Sequence, residues 1–591
     1  MLMKIFKHVQ NKLNSLPVKK DHKRRYNSRL FSEKALGINQ IEKPKLFLLG
    51  TCQAERIYET AQQHNWLIKH QLCDFGFYTT PEKCDTEYFD GVLLNPTLRA
   101  ILATADENGN GDILNKQLSS DYQSFEKRAV TVMSNMLSRY IAYYHKEISV
   151  FVISFIEPPA SASGLINKNR QQSIYTLIRT LNDELEALCY AQPNVYYIEI
   201  NDVRTLLGDR LVYDGYDINY THASYYAGRA RTHHLNQALL YKIESIWRVV
   251  KCIDPVKLII TDLDNTLWEG VLAEQDIIEG WRHTEGWPLG YAEALIQCQQ
   301  RGILLAICSK NDTEQTLENF KMVWKSKITL DDFCSIQINW EAKSKNIAKI
   351  LAETNVLPQN TLFIDDNPLE IAEVKRFFPE IRVLTVPQES WRRILLFSPE
   401  TQISSITEES KKRTVLINAK KARDEIIRTL PREEFLKSLN LELHQNSIVN
   451  SMHSRFERAL ELINKTNQFN STGQRWSYAE INHFFKSGGL MFTYAAKDRF
   501  AEHGVISVLL LRNCVIEQFV LSCRVFGLGI EQAIIATITN KSCSEGMHFK
   551  ALETGKNHSF ITFLDSLALQ TSKIYPNQIV TPNWIQIIHE T

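Results

Sequence analysis

The chain lacks several features by which other classes of protein are recognised. Its 591 residues include eleven cysteines but no Cys-x-x-Cys pair, so we expect reduced thiols and a cytoplasmic setting rather than a disulfide scaffold. No apolar run approaches the roughly 18–20 residues of a membrane span, so no transmembrane segment is expected. The formal net charge of +1 gives no general attraction to nucleic acid, which we exclude as an expected partner.

The first 43 residues are predicted to be a basic extension. Within residues 1–29, lysines and arginines surround a few apolar side chains, without the apolar core typical of a secretory signal. A solvated extension is the simpler interpretation of this pattern. Weak peripheral contact with an anionic membrane through residues 1–29 is the alternative.

The length predicts three or four domains, because a single hydrophobic core rarely grows to this size. The pattern of strands and helices indicates a multidomain α/β protein. The predicted parts after the extension are an α/β domain at 44–230, a helical linker at 231–254, a catalytic α/β domain at 255–400, a linker with a helix at 401–432, and an α+β domain at 433–591.

The domain at 44–230 carries a small nucleophile after its first strand, in Gly50-Thr51-Cys52-Gln53. This turn resembles that of SGNH-type hydrolases, in which serine holds the place of Cys52. The resemblance implies roles for Asn95 and His222, but Asn219 stands where an aspartate is expected and Asp217 is the nearest acid. The alternatives are an esterase-like site and an inactive binding or scaffolding domain, since a cysteine after a strand is commonly a small buried residue.

The most informative stretch is Asp262-Leu263-Asp264-Asn265-Thr266. It follows the apolar run 258–261, which is typical of a buried parallel strand. Two carboxylates with this spacing at a strand end can do different chemistry: Asp262 can attack phosphorus while Asp264 moves a proton.

Two further predicted strands end in residues that suit phosphate and metal. The run 303–308 ends at Ser309, whose hydroxyl can bond a phosphate oxygen, and Lys343 precedes a predicted helix at 344–351. The run 361–364 ends at Asp365 and Asp366, a pair that suits Mg²⁺. Because ligands bind outside the carboxyl ends of strands in open α/β sheets, these side chains are predicted to share one site.

This ordered set resembles the haloacid dehalogenase (HAD) superfamily, which implies a Rossmann-like core. The resemblance implies that Asp262 is the nucleophile and Asp264 the general acid/base, with Ser309 and Lys343 binding phosphate. Asp262, the backbone carbonyl near Asp264, Asp365 and Asp366 would hold Mg²⁺. Further phosphate contacts are expected within the matching stretches, from Thr266, Lys310, Asn311 and Asn367. The short interval between Asp262 and Ser309 leaves no room for a large cap domain, so an open site is expected.

The last domain contains Arg524-x-x-Gly527-x-Gly529 between a predicted strand at 519–522 and a predicted helix at 532–538. Such a loop exposes backbone N–H groups at a helix N-terminus, where a pyrophosphate can bind. It resembles the coenzyme-A loop of GNAT acyltransferases, although paired glycines also permit tight packing.

Residues 257–570 together resemble FkbH-like proteins through DLDNTLWEGV, SKN, DDNPLE, NKTNQFN, DRFAEHG and LSCRVFGLGIE. The resemblance implies a phosphatase and glyceryl transferase that dephosphorylates 1,3-bisphosphoglycerate and loads the three-carbon acyl unit on an acyl carrier protein. The phosphopantetheine arm of that carrier, or coenzyme A, would be the acceptor. Some relatives carry cysteine at the position of Leu263, so an acyl-enzyme at that place is not available here.

Two residues are candidates for the acyl step. Cys523 is the preferred thiol, since a nearby helix N-terminus and cation would lower its pKa, and His503 is a candidate base. For each of these two residues, a purely structural role in packing is an equal alternative. Three functions therefore remain: acyl loading for polyketide-like or surface-glycan synthesis, a Mg²⁺ phosphatase of a small sugar or acid phosphate, and a non-catalytic scaffold that binds carrier proteins or coenzyme A.

Overall fold

The computed structural model describes Leu36 and residues 42–51, 54–73, 80–106, 121–157, 173–208, 229–274, 280–404, 406, 408–427, 430–542, 546–567 and 573–590. The chain divides into two compact units. One contains Ile41–Trp247 with Ser477–His483, and the main segments of the other are Arg248–Trp476 and Phe484–Thr591. No described helix combines the length and apolar character that a membrane span requires.

The first unit contains a five-stranded parallel sheet in the order β2-β1-β3-β4-β5. The three inner strands β1, β3 and β4 are nearly continuous apolar runs because helices cover both faces of such a sheet, whereas the edge strand β2 is mostly polar. The strands are β1 (Leu46–Gly50), β2 (Ile68–Leu72), β3 (Gly91–Asn95), β4 (Ser149–Ile153) and β5 (Val195–Ile198). The helices are α1 (Glu55–Gln63), α2 (Leu98–Ala105), α3 (Tyr122–Tyr144), α4 (Ile174–Tyr190) and α5 (Ile200–Leu207), and α6 (Arg229–Val250) follows them.

The second unit begins with another five-stranded parallel sheet, in the order β10-β9-β6-β7-β8. Its strands are β6 (Leu258–Thr261), β7 (Leu304–Ser309), β8 (Ser335–Ile338), β9 (Thr361–Ile364) and β10 (Arg382–Val383). The helices are α7 (Gly280–Thr284), α8 (Trp287–Gln300), α9 (Thr313–Trp324), α10 (Lys343–Thr354), α11 (Pro368–Phe377) and α12 (Trp391–Phe397). The central strand β6 is fully buried between β9 and β7. Its position in the sheet therefore determines where the residues just before and just after it lie.

The same unit continues through α13 (Glu408–Lys411), α14 (Arg413–Ile427) and α15 (Arg432–Ser438) into a mixed, seven-stranded sheet. The strand order is β16-β15-β14-β13-β12-β11-β17. Its strands are β11 (Leu441–Ile448), β12 (Leu490–Lys497), β13 (Glu502–Arg512), β14 (Val515–Leu521), β15 (Met547–Phe549), β16 (Lys573–Ile574) and β17 (Ile585–His589). Its helices are α16 (Phe456–Lys465), α18 (Ile530–Ser542) and α19 (His558–Ser566). The first part of α17 (Tyr478–Lys486) belongs to the segment counted with the first unit.

The fold class that the sequence predicts is confirmed: the protein is a multidomain α/β protein with two parallel sheets and one mixed sheet. The predicted strands at 258–261 and 361–364 have the observed bounds. The predicted linker at 401–432 is largely helical, because α13 and α14 occupy most of it. Cys514 is disulfide-bonded, a pairing that the scattered cysteines did not predict.

Candidate active site

The carboxyl ends of three neighbouring strands of the second parallel sheet bring the predicted site residues together. In the parallel register Thr261 of β6 lies beside Ile307 of β7 and Ile364 of β9. Asp262 and Asp365 therefore leave adjacent strands at the same level. Ser309 ends β7, and α10 begins at Lys343 after β8, so the predicted clustering of these side chains is observed.

The turn after β6 is held in a tight conformation by its own residues. Asn265 has a φ of +50° and its side-chain oxygen accepts a bond of 2.9 Å from the backbone N–H of Gly270. Leu263 is fully buried and packs in the hydrophobic core. Its side chain is thus removed from the polar site.

Lys343 is the cation between two of the carboxylates. Its Nζ lies 3.0 Å from Asp262 Oδ2 and 2.5 Å from Asp365 Oδ2, and all three side chains are buried. Burial alone would lower the pKa of Lys343, but the charges of Asp262 and Asp365 outweigh it and raise the pKa. Burial and the charge of Asp262 raise the pKa of Asp365 above its usual range. A further cation beside these carboxylates would stabilise their charged forms.

A divalent metal fits these residues. One ligand oxygen from each of Asp262, Asp365 and Asp366 can lie within 4.8 Å of the others. Asp262 Oδ1 is buried without a hydrogen-bond partner, which leaves one of its lone pairs directed at no protein donor. Carboxylate oxygens of this kind suit Mg²⁺, which takes few protein ligands and keeps several waters. Burial and the charge of Asp262 also raise the pKa of Asp366.

Asp264 is held in a different environment from the other carboxylates. Its Oδ1 accepts bonds from Trp268 Nε1 at 2.7 Å and from the Leu272 backbone N–H at 3.4 Å. Its Oδ2 accepts a bond of 2.9 Å from Asn311 Nδ2. The group of three carboxylates that could hold a metal does not include Asp264. A backbone carbonyl near Asp264 as a metal ligand stays a prediction.

The predicted phosphate-binding residues fall into two groups. Ser309 and Asn311 belong to the site, since Asn311 Nδ2 lies 3.1 Å from Ser309 Oγ while it also bonds Asp264. Thr266 is fully buried and its Oγ1 accepts a bond of 3.1 Å from the backbone N–H of Asp366, which ties the two acidic turns together.

Two other predicted phosphate ligands are engaged elsewhere. Lys310 pairs with Glu370 at 2.6 Å. The Asn367 side-chain oxygen caps α11 by accepting a bond of 2.9 Å from the Leu369 backbone N–H. A role for either residue in phosphate binding stays a prediction.

The segment between β6 and β7 is short, as the sequence predicts. Between β6 and β7 the described residues form a 3₁₀ turn at Leu272–Glu274 and the helices α7 and α8. Three apolar side chains that follow β6, β8 and β9 are exposed: Trp281 by 62%, Trp340 by 74% and Leu369 by 77%.

Some residues around the site were not predicted from the sequence. Trp268 donates to Asp264, and the buried Tyr291 hydroxyl donates to Thr261 Oγ1 at 3.0 Å, which in turn bonds the Asp262 carbonyl at 2.8 Å. Trp268 stands four residues after Asp264 within the DLDNTLWEGV stretch, so its position could have been noticed. Tyr291 lies on α8, far along the chain, and no local pattern indicates its role.

The candidates for acyl chemistry lie in the last domain, away from the carboxylates. His503 is completely buried, with Nε2 3.0 Å from Asp498 Oδ2, and Arg423 lies 2.7 Å from the same oxygen. Burial lowers the pKa of His503. Cys523 begins a 3₁₀ turn, Cys523–Val525, seven residues before α18 begins at Ile530. The structure therefore does not bring Cys523 or His503 to Asp262.

The glycine loop before α18 has the predicted strand–turn–helix context. Gly527 and Gly529 have φ values of +78° and +81°, which favour glycine. A cavity of about 290 Å³ lies beside Gly527, lined by four cationic side chains, which are Lys420, Arg423, Arg432 and Arg524.

The edge of β14 next to this loop is covered by the chain itself. β14 pairs with β15 only at Val515 and Ile516. Further along, the segment 469–471 takes the edge: Leu521 N–H donates to Phe469 O at 3.1 Å and Ser471 N–H to Phe519 O at 3.0 Å. An extended ligand cannot add to those backbone groups while the segment remains in place.

In the first unit, β1 and β3 place Asn95 beside Gly50 in the parallel register. Thr51, next along the chain, shares a hydrogen bond of 2.7 Å with Thr97. Cys52, Asp217, Asn219 and His222 lie outside the described residues, so the esterase-like hypothesis stays a prediction.

Comparisons with known proteins place this chain in no established family. No family model matches it, and no curated protein matches it. Among solved structures it is similar to the N-terminal part of protein BF1531 from Bacteroides fragilis, which contains a phosphatase domain complexed with Mg. The identity is 19% and the TM-score 0.46, over 62% of this chain and 95% of that one. So weak a likeness does not bear on the chemistry, which depends on the side chains themselves.

Proposed function

We propose that this protein is a Mg²⁺-dependent phosphoryl-transfer enzyme with Asp262 as its nucleophile. The observation that supports this most directly is the pairing of Lys343 with Asp262 and Asp365, beside an Asp262 oxygen that has no protein partner. A bound Mg²⁺ would neutralise charge on the phosphate and on the three surrounding carboxylates.

The first step forms a bond between an Asp262 oxygen and phosphorus and breaks the bond to the leaving oxygen. Asp264 gives a proton to the leaving oxygen. Hydrogen bonds from Trp268 and Asn311 hold the Asp264 carboxyl group in place for this role. Lys343 and the Ser309 hydroxyl stabilise the charge on the phosphoryl oxygens. Asp264 has to enter this step protonated.

In the second step a water oxygen attacks phosphorus and the bond to Asp262 breaks. Asp264 takes the proton of that water, which returns both carboxyl groups to their starting states. The short segment between β6 and β7 leaves no room for a large cap domain, which suits a substrate that is bulky or attached to a protein.

We further propose that the substrate is 1,3-bisphosphoglycerate and that the glyceryl unit is loaded on an acyl carrier protein. The carrier thiol would attack the acyl carbon, forming a C–S bond and displacing one phosphate. Hydrolysis at Asp262 would release the other phosphate. The cationic side chains beside Gly527 support a phosphate-bearing partner.

The second candidate is a phosphatase of a small sugar or acid phosphate. The covered edge of β14 favours it, because segment 469–471 bonds the backbone groups that an extended pantetheine arm would use. The two candidates share the Asp262 chemistry and differ only in the acceptor.

One experiment separates these functions. A phosphopantetheinylated carrier protein is incubated with the enzyme, Mg²⁺ and 1,3-bisphosphoglycerate, and its intact mass is measured beside phosphate release. We expect a glyceryl-sized mass gain with release of both phosphates. In a folded Asp262→Asn variant we expect release of only the phosphate that the thiol displaces, and a mass gain the size of a phosphoglyceryl unit. Phosphate release without mass gain on several carriers would support the small-molecule phosphatase. Release at the wild-type rate by Asp262→Asn would refute the nucleophile.

A further inference from the structure

A cavity of about 140 Å³ lies at the edge of the HAD-like sheet opposite to the carboxylates. It is lined by residues just before β6 and β7, by α14 and α16, and by the loop that follows β14. Lys257 stands immediately before β6 and Asp262 immediately after it. Five residues of extended chain span about 16 Å, so this cavity is separate from the candidate active site.

The lining of this cavity, which we call the Lys257 cavity, is strongly cationic. Glu461 is its one acid, and it is already paired with Arg458 at 2.6 Å and with Lys465 at 2.5 Å. The charges of those two partners outweigh burial and lower the pKa of Glu461. The cations of the lining are Lys257, Arg301, Arg413, Arg458, Lys465 and Arg524.

Lys257 and Arg413 lack a carboxylate partner among the described residues. Lys257 Nζ donates to the backbone carbonyl of Lys465, and Arg413 Nη1 donates to that of Gly302 at 2.6 Å. Carbonyl oxygens satisfy a donor but do not neutralise a charge. Burial, followed by the charges of Arg475 and Arg413, lowers the pKa of Lys257 to about 7.

Cys523 lines the same cavity, and its thiol is close enough to Lys257 and Arg413 to affect the pKa of both. The side-chain oxygen of Gln468, another lining residue, is buried without a hydrogen-bond partner. A cavity with uncompensated cations and an unsatisfied polar group is built to receive a polar ligand.

We propose that the Lys257 cavity binds a small phosphate-bearing anion between Lys257 and Arg413, beside the thiol of Cys523. A phosphate group carries up to two negative charges and several acceptor oxygens, so it can bond Lys257 and Arg413 together and favour the protonated form of Lys257. The volume is below the roughly 300–1,000 Å³ of sites for drug-sized ligands, so the occupant is small. The site goes beyond the proposed phosphoryl transfer and needs no metal.

Alkylation of Cys523 in the full-length protein tests this proposal. Iodoacetamide is the probe, and the rate of modification of the Cys523 peptide is followed by mass spectrometry. EDTA is present throughout, so that no divalent metal recruits phosphate to Asp262. We expect inorganic phosphate to slow the modification at least fivefold, while acetate at the same ionic strength has little effect.

Three variants test whether phosphate protects Cys523 by binding in the Lys257 cavity. We expect Lys257→Met to lose the protection by phosphate, and the exposed Lys327→Met to keep it as the matched control. Asp262→Asn should keep it as well. Equal rates with phosphate and acetate in the wild-type protein would overturn the proposal, whether or not Lys257→Met folds. Protection that is lost in Asp262→Asn would also overturn it, because phosphate would then be acting from the carboxylate site.

Discussion

The two edges of the second parallel sheet, β6–β10, have opposite charge. At the carboxyl edge, Asp262, Asp365 and Asp366 surround one lysine, Lys343. At the amino edge, six cations surround the single acid Glu461. One short strand, β6, connects the two.

This difference shows how uncompensated charge indicates the type of ligand. An excess of buried carboxylates is stabilised by a further cation, and an excess of enclosed cations is stabilised by an anion. The carboxyl edge therefore fits a metal together with the phosphate that the metal attracts. The amino edge attracts an anion without metal, and it is the edge where Cys523 lies.

The largest effect is expected from removal of the one cation at the carboxyl edge. In Lys343→Met, Asp262 and Asp365 would face each other without compensation, and the phosphoryl oxygens would lose a charged partner. We expect kcat for phosphate release to fall by about 10²–10³. Lys345→Met, an exposed position on the same helix α10, is the matched control. An unchanged kcat in Lys343→Met would refute the role of this cation.

A smaller effect is expected at the hydroxyl that joins the two acidic turns. Thr266→Val removes the acceptor for the Asp366 N–H, so the third carboxylate loses its fixed position. We expect Mg²⁺ to bind about tenfold more weakly by calorimetry, with kcat nearly restored at saturating Mg²⁺.

The control for this change is Thr361→Val. Thr361 is equally buried, and its hydroxyl donates to Leu357 O at the other end of β9. If Thr266→Val and Thr361→Val bind Mg²⁺ alike, the Thr266 hydroxyl does not position Asp366.

The carboxyl edge could be predicted from the sequence because its information is local. Each of β6, β7 and β9 is a continuous apolar run, and each is followed directly by polar residues. Parallel strands carry those residues to one edge, so the clustering of Asp262, Ser309 and Asp365 follows from order and pattern alone.

The amino edge could not be predicted in the same way. Lys257, Arg413 and Lys465 come from distant parts of the chain, and each alone has the pattern of an ordinary surface residue. Cys523 is indicated only by the glycine loop that follows it, and no pattern joins it to these cations. Their common cavity arises only because α14, α16 and the loop after β14 pack near the start of β6. The covering of β14 by segment 469–471 is likewise a long-range pairing without a local pattern.

The smallest effect that we expect is the contribution of Lys257, at the amino edge, to the pH dependence of the protein's stability. The pKa of Lys257 is about 7 in the folded protein, below the 10.5 of a free lysine. Between these values the unfolded chain binds more protons than the folded one, so this residue makes stability rise with pH. Below about pH 7 the amine is protonated in both states and its full burial penalty is present.

Lys257→Met lacks this titration, so we expect it to melt at a higher temperature than the wild-type protein at pH 6. By pH 9 the difference in melting temperature between the variant and the wild-type protein should narrow by a few degrees. The measurement is made in phosphate-free buffer, where no anion compensates the cation. Lys327→Met reports the effect of losing an exposed lysine and should show no such trend. A gap that stays constant from pH 6 to 9 would mean that Lys257 keeps an ordinary pKa.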